Sequence, residues 1–251
     1  MPTALITGPT AGIGRAFARA YARRGFDLVL VARDEARLRR VAADLRADYG
    51  VRSEVLPADL ADHDDVERVA SRIDDTDRPV DALVNNAGFA LAQRFSDSTF
   101  ADEERSLDVL VRAPLRLSHA AVRHMERRGR GEIVNVSSVA GFLPRGSYGA
   151  HKAWLTSLTE WMSRNYRDRG VRITALCPGF VRTEFHQRGR LDTSRVPAWM
   201  WLDADDLVAW AMRDLLAGKA VSVPGRRYQV ISAVARVAPR SVLARLPRMG
   251  R

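Results

Sequence analysis

The chain has 251 residues, of which 46% are hydrophobic and 28% charged, as in an ordinary globular protein with one large core. Its net charge is +10, but the arginines that carry this charge are scattered and form no basic-region helix, which argues against a nucleic-acid-binding protein. The sequence also has no zinc-ligand spacing, so no metal site is expected. With no apolar run of about 18 residues and no secretory leader before the first strand-like segment, we expect a cytoplasmic protein.

Short apolar segments alternate with longer amphipathic ones along the chain. The apolar segments predict strands at residues 3–7, 27–32, 52–56, 82–85, 132–136, 172–176 and, more weakly, 220–223. The amphipathic segments predict helices near 13–24, 34–48, 62–74, 98–128, 149–168 and 203–217. This alternation favours an α/β fold with a single doubly wound, Rossmann-like parallel sheet of about seven strands and helices on both faces. We expect residues 1–251 to form one dinucleotide-binding catalytic domain.

A glycine-rich turn, TGPTAGIG at residues 7–14, joins the first predicted strand to the first helix. Gly8, Gly12 and Gly14 allow positive φ and a close backbone approach, so that peptide N–H groups and the helix N-terminus can face a pyrophosphate. Thr10 and Ile13 belong to the same turn. The spacing differs from the commoner G-x-G-x-x-G, but its place after a terminal strand indicates a dinucleotide site.

The end of the second strand bears on the choice of cofactor. NAD-selective sites usually place an acid there, which would repel a 2′-phosphate, whereas this strand is followed by Arg33. Arg33, helped by Arg15, can pair with the 2′-phosphate, so NADP(H) is favoured over NAD(H). The alternative is that Arg33 is a solvated surface arginine.

Two further segments follow strands at the same predicted edge of the sheet. Asp59 follows the third strand, where a carboxylate can accept a hydrogen bond from the adenine amino group. Asn86 and Gly88 close the fourth strand, with a compact amide and a glycine beside the cofactor. Either segment alone would be an ordinary loop.

Tyr148 and Lys152 lie four residues apart at the start of a predicted helix and therefore on one helix face. A free phenol has a pKa of about 10. A nearby cation and the positively charged oxidised nicotinamide are expected to favour the phenolate and bring this pKa toward working pH for proton transfer. Lys152 can also hold the nicotinamide ribose. Ser138, at the end of the fifth strand, can hydrogen-bond the substrate oxygen, or it can be a helix-cap or turn serine.

Together these segments resemble the short-chain dehydrogenase/reductase family, from residue 3 to about residue 225. The resemblance implies an oxidoreductase that moves a hydride between NADP(H) and a carbonyl or alcohol carbon, in a homodimer or homotetramer. It implies catalytic roles for Ser138, Tyr148 and Lys152. It also implies cofactor contacts at Gly8, Thr10, Gly12, Ile13, Gly14, Arg33, Asp59, Asn86, Gly88, Tyr148, Lys152, Pro178, Gly179 and Thr183, the last three from a Pro-Gly-x3-Thr segment at the carboxamide.

The sequence departs from the family pattern at Leu110. The family usually has an asparagine at this place, in the helix after the fourth strand, where it serves a water-linked proton relay to the lysine. A leucine side chain has no hydrogen-bonding group. The alternative function is therefore a catalytically impaired, NADP(H)-binding regulatory protein.

The substrate lid is expected at residues 180–201, which are rich in aromatic residues. With Ser138 and Tyr148, Phe180 and Phe185 are the candidate substrate contacts, and they favour a hydrophobic ketone, aldehyde or secondary alcohol. His186 can contact a polar group of the substrate, but a surface or hydrogen-bonded structural histidine is the commoner case and is the one expected here. The basic C-terminal extension, residues 225–251, can lie on an anionic membrane surface, cover the pocket or pack on a partner; a helix docked on its own domain is the commoner case.

Overall fold

The computed structural model describes residues 1–144 and 146–238. Seven parallel strands form one sheet in the order β3-β2-β1-β4-β5-β6-β7. The strands are β1 Thr3–Thr7, β2 Asp27–Ala32, β3 Ser53–Pro57, β4 Ala82–Asn85, β5 Gly131–Val136, β6 Val171–Leu176 and β7 Val221–Ser222. The predicted doubly wound parallel sheet is thereby confirmed.

Helices cover both faces of the sheet. They are α1 Gly12–Arg23, α2 Glu35–Tyr49, α3 His63–Asp74, α4 Phe100–Leu107, α5 Ala113–Arg128, α6 Gly146–Tyr166, α7 Phe185–Arg188, α8 Ala204–Leu216 and α9 Arg226–Val237. Within the described ranges, none of them is long and apolar enough to cross a membrane.

The helix predicted over 98–128 is not continuous α-helix. A π-helical segment, Asp108–Arg112, separates α4 from α5, and Pro114 occupies the first turn of α5. Proline has no backbone N–H to donate to the preceding turn, so the regular hydrogen-bond ladder is interrupted there. The sequence showed Pro114, but the prediction ran the helix through it.

Two apolar cores lie on opposite faces of the sheet. Ile6 belongs to the core beneath α1, α2 and α8, whereas its neighbour Leu5 belongs to the core beneath α3, α5 and α6. Successive strand residues point to opposite faces, and both of these are fully buried. A strand covered on both sides reads as a continuous apolar run, which is why periodicity of two is missing from the sequence.

Candidate active site

The turn between β1 and α1 is built on glycine. Gly8 and Gly12 adopt positive φ values of 68° and 51°. A Cβ on Gly14 would lie 2.1 Å from the carbonyl oxygen of Gly8. Only glycine therefore lets the first turn of α1 fold this closely against the end of β1.

The N-terminus of α1 has the properties of an anion site. Its N-cap residue is Ala11, and no described side chain caps it or places an acid in the first turn. In contrast, Asp34 caps α2 by accepting a hydrogen bond from the backbone N–H of Arg37. The N–H groups at the start of α1 thus remain for an anionic ligand, as the pyrophosphate of a dinucleotide requires.

Asn86 lies at the end of β4 and holds the glycine turn. Its side-chain amide donates hydrogen bonds to the carbonyl oxygens of Thr7, at 2.9 Å, and Gly8, at 3.1 Å. The buried hydroxyl of Thr7 accepts hydrogen bonds from the backbone N–H groups of Asn86 and Ala87. This role of Thr7 was not predicted from the sequence, although its position next to Gly8, the first glycine of the turn, could have indicated it.

Arg33 follows β2 and faces solvent, with 71% of its side chain exposed and its guanidinium 3.9 Å from Asp59. Asp59 also accepts a hydrogen bond of 2.7 Å from Arg105, which the sequence analysis did not single out. Burial raises the pKa of Asp59, but the hydrogen bonds from Arg105 and from the N–H of Ala61 lower it below its usual range overall. Arg15 is engaged elsewhere: it donates to Asp44 at 2.7 Å rather than accompanying Arg33.

Ser138, Tyr148 and Lys152 come together where β5 ends and α6 begins. The hydroxyl of Ser138 is close enough to the phenol of Tyr148 to lower its pKa. The ammonium of Lys152 lies 5.7 Å from the centre of the Tyr148 ring and donates a 2.7 Å hydrogen bond to the carbonyl oxygen of Val136. The hydroxyl of Ser138 accepts a hydrogen bond from the N–H of Ala140, which confirms the cap interpretation; its contact with the substrate oxygen stays a prediction.

Burial has the largest effect on the pKa values at this cluster. It raises the pKa of Tyr148 to about 12, against a lowering effect of the Ser138 hydroxyl. Burial likewise lowers the pKa of Lys152 to about 8. Because the ammonium is directed to Val136 and desolvated, it does not by itself bring the phenol toward neutral pH as expected. The protein favours the protonated phenol, which is a proton donor.

The segment after β6 joins the glycine turn to the C-terminal helix. Pro178 accepts a hydrogen bond from the N–H of Val139 through its carbonyl oxygen. A Cβ on Gly12 would lie 2.6 Å from the methyl carbon of Thr183, so Thr183 contacts the glycine turn. A Cβ on Gly179 would lie 2.0 Å from the Tyr228 ring, and Gly179 therefore makes room for Tyr228, which sequence analysis missed.

Aromatic rings of the expected lid lie beside Tyr148. The ring of Phe185 is 6.1 Å from that of Tyr148, and Phe180 and His186 are 5.6 Å apart, between ring centres. The expectation for His186 was wrong: it is half-buried among Phe180, Phe185 and Trp201, and its buried Nδ1 has no hydrogen-bond partner among the described residues. Burial in this apolar cluster lowers the pKa of His186.

Residues 2–193 match the family model described as short chain dehydrogenase. The chain belongs to this family. It is 39% identical over 186 residues to sulfoacetaldehyde reductase 2 of Chromohalobacter salexigens, covering 72% of this chain and 73% of that one. It is 33% identical to a short-chain dehydrogenase from Sphingobium yanoikuyae solved in complex with NADPH (TM-score 0.86, covering 99% and 97% of the two chains). A bulky-bulky ketone specific alcohol dehydrogenase from Comamonas testosteroni is 29% identical (TM-score 0.81, covering 99% and 96%).

In this short-chain dehydrogenase Leu110 is fully buried within the π-helical segment. A Cβ on Gly88 would lie 2.9 Å from a methyl carbon of Leu110 and 3.8 Å from the ammonium nitrogen of Lys152. Leu110 and the Lys152 ammonium therefore both lie beside Gly88. The leucine side chain has no polar atom, so it forms an apolar wall beside Gly88 and Lys152.

Proposed function

We propose that this protein is an NADP(H)-dependent oxidoreductase that interconverts a hydrophobic ketone or aldehyde and the corresponding alcohol. The observation that carries the proposal is that Ser138, Tyr148 and Lys152 come together: the Lys152 ammonium lies 5.7 Å from the centre of the Tyr148 ring, and the Ser138 hydroxyl is close enough to lower the pKa of the phenol. The family itself acts on alcohol and carbonyl groups, as the names of the relatives state.

The residues of the site have complementary roles in this proposal. A nicotinamide cofactor, when bound, supplies or accepts the hydride. The phenol of Tyr148 gives its proton to the carbonyl oxygen in reduction and takes it back in oxidation, while Ser138 steadies the charge on that oxygen by a hydrogen bond. Lys152 and Thr183 would hold the nicotinamide half, and the glycine turn with the N-terminus of α1 would hold the pyrophosphate.

Charge at the end of β2 supports NADP(H) as the cofactor. Arg33 is exposed there, and the hydrogen bond from Arg105 offsets the negative charge of Asp59, the acid next to it. A 2′-phosphate would therefore meet a positive site rather than a carboxylate. The similar dehydrogenase from Sphingobium yanoikuyae was solved with NADPH, which agrees with this choice.

Aromatic rings next to Tyr148 support a bulky, apolar substrate. Phe185 and the cluster of Phe180, His186 and Trp201 form the wall nearest the phenol. The relative from Comamonas testosteroni is described as specific for bulky ketones, whereas the one from Chromohalobacter salexigens is named for a small anionic aldehyde. The aromatic wall favours the first class. A homo-oligomeric state and a cytoplasmic location stay predictions.

The test is NADPH oxidation with two sets of carbonyls, aromatic or alicyclic bulky ketones and small anionic aldehydes including sulfoacetaldehyde. We expect turnover with the bulky ketones and at least tenfold lower kcat/KM with the anionic aldehydes. Preference for the aldehydes would reject the substrate class. Tight NADPH binding with no turnover of either set would instead favour the regulatory protein that buried Leu110 suggests.

A further inference from the structure

Helix α9 packs on the protein by one face only. Its buried residues Tyr228, Ser232 and Ala235 are spaced by four and three and define that face. On the opposite face lie Val230, Val234 and Val237, which are 63%, 55% and 85% exposed. We call these three valines the apolar stripe. Exposed valines in a row on one helix face leave apolar area in contact with water, which is unfavourable without a partner surface.

Arginines border the apolar stripe. Arg227 lies with its guanidinium 5.6 Å from the ring of Trp199, which is itself 60% exposed. Arg236 lies nearer the packed face of α9, with its guanidinium 4.7 Å from the ring of Phe142 and 3.7 Å from a carboxylate oxygen of Glu160. An apolar face bordered by arginine and tryptophan is the composition of helices that lie in the interface of a lipid bilayer.

Most of the excess positive charge of the chain lies in the part of the sequence after Gly225, which includes α9. Seven of the forty basic residues follow Gly225, where there is no acidic residue, so that this short segment carries seven of the ten net positive charges. In the rest of the chain acidic and basic residues nearly balance. Each basic residue close to an anionic lipid surface strengthens binding by roughly fivefold at moderate salt.

We propose that α9 docks the protein on an anionic lipid bilayer, with the apolar stripe among the acyl chains and the bordering arginines on lipid phosphates. A second copy of the chain fits this face less well. Two-fold pairing on the apolar stripe would bring together two copies of α9, which has three arginines and no acidic residue, and the two copies would repel each other.

The same helix contacts the lid of the proposed active site from its inner face. The hydroxyl of Tyr228 accepts a hydrogen bond from the N–H of Phe180 at 3.0 Å and donates one to the carbonyl oxygen of Met200 at 2.6 Å. A bilayer on the outer face of α9 would therefore lie beside Trp199 and the lid. This would be the favourable side of the molecule for admitting an apolar compound dissolved in lipid.

The test is sedimentation of the full chain with lipid vesicles. One set of vesicles is pure phosphatidylcholine and the other contains phosphatidylglycerol as a third of its lipid. We expect binding to the second set at low salt, at least tenfold weaker binding to the first, and loss of binding at high salt. The emission of Trp199, isolated by comparison with Trp199→Phe, should shift to the blue when vesicles bind.

Two double variants separate the apolar stripe from general surface hydrophobicity. Val230→Gln/Val234→Gln should weaken vesicle binding about tenfold or more, because two valines no longer enter the lipid. Leu115→Gln/Leu216→Gln changes two leucines that are 45% and 49% exposed on other helices, and it should bind as the wild type does. Unchanged NADPH affinity and melting temperature check that both variants are folded.

Three results would overturn the proposal. The first is a wild-type protein that does not sediment with the anionic vesicles, and the second is equal binding by the two double variants. The third is a wild-type protein that forms an oligomer and does not bind vesicles, combined with a Val230→Gln/Val234→Gln variant that is monomeric. In that case a second copy of the chain would cover the apolar stripe. Loss of carbonyl reduction would bear on the proposed function alone, since vesicle binding is measured without substrate.

Discussion

The ammonium of Lys152 lies 5.7 Å from the centre of the Tyr148 ring, one turn away on α6. Substituting Tyr148→Phe removes the proton donor without changing the shape of the ring. We expect kcat to fall about 10²- to 10⁴-fold while the dissociation constant of NADPH changes less than about threefold. Stopped-flow turnover and fluorescence titration of NADPH measure the two quantities. A variant that keeps more than a tenth of the wild-type kcat would remove Tyr148 from the reaction.

Arg33→Asp tests the cofactor preference. The substitution places a carboxylate where a 2′-phosphate would lie, and we expect NADPH affinity to fall about tenfold to a hundredfold while NADH affinity stays the same or rises. The matched control is Arg39→Asp, because Arg39 is 72% exposed, against 71% for Arg33, and pairs with Glu35. Equal effects of both variants would point to overall charge rather than a phosphate contact.

Leu110→Asn tests whether the apolar wall near Lys152 limits the reaction. Burying an amide at a fully buried site should lower the free energy of unfolding by about 1–3 kcal/mol. We expect kcat to change less than about threefold. Loss of a proton-transfer group, by comparison, lowers the rate by about 10²- to 10⁴-fold. Leu110→Met is the control for packing alone. A rise in kcat above tenfold with Asn but not Met would show that the wild-type relay is impaired.

The raised pKa of Tyr148, about 12, predicts opposite pH dependences for the two directions of reaction. Reduction uses the protonated phenol, which persists through neutral pH, so its kcat should be nearly constant there. Oxidation uses the phenolate, whose fraction rises about tenfold per pH unit below the pKa, so its kcat should increase with pH. Initial rates in both directions across the neutral range check this. Oxidation that already levels off in mildly acidic buffer would contradict it.

Tyr228→Phe should loosen the lid. The substitution leaves the N–H of Phe180 and the carbonyl oxygen of Met200 without the hydroxyl that joins them. We expect a loss of about 1–3 kcal/mol in the free energy of unfolding, measured in urea, together with a raised KM for the carbonyl substrate. Tyr166→Phe is the control, because that ring packs on Trp161 and its hydroxyl makes no hydrogen bond within the described residues. A similar loss in both variants would show a general effect of removing a hydroxyl.

The sequence by itself determined the order of strands and helices, the parallel sheet and the glycine turn. These depend on patterns within a few residues, such as the buried run of β1, the positive φ of Gly8, and the spacing of Tyr148 and Lys152 on one turn of α6. Local conformational preference and burial on both faces of a sheet leave their mark on neighbouring residues. Because these patterns involve neighbouring residues only, they were sufficient to predict the parallel sheet, which the structure confirmed.

The tertiary structure decided how those parts act on one another. The hydrogen bond from Asn86 to Thr7 joins residues 79 apart in the chain, and the one from Phe180 to Tyr228 joins residues 48 apart. Neither pairing leaves a periodic signal, and the burial of His186 and the raised pKa of Tyr148 depend on everything packed around them. Desolvation and long-range hydrogen bonding are properties of the folded surroundings, so only the structure could supply them.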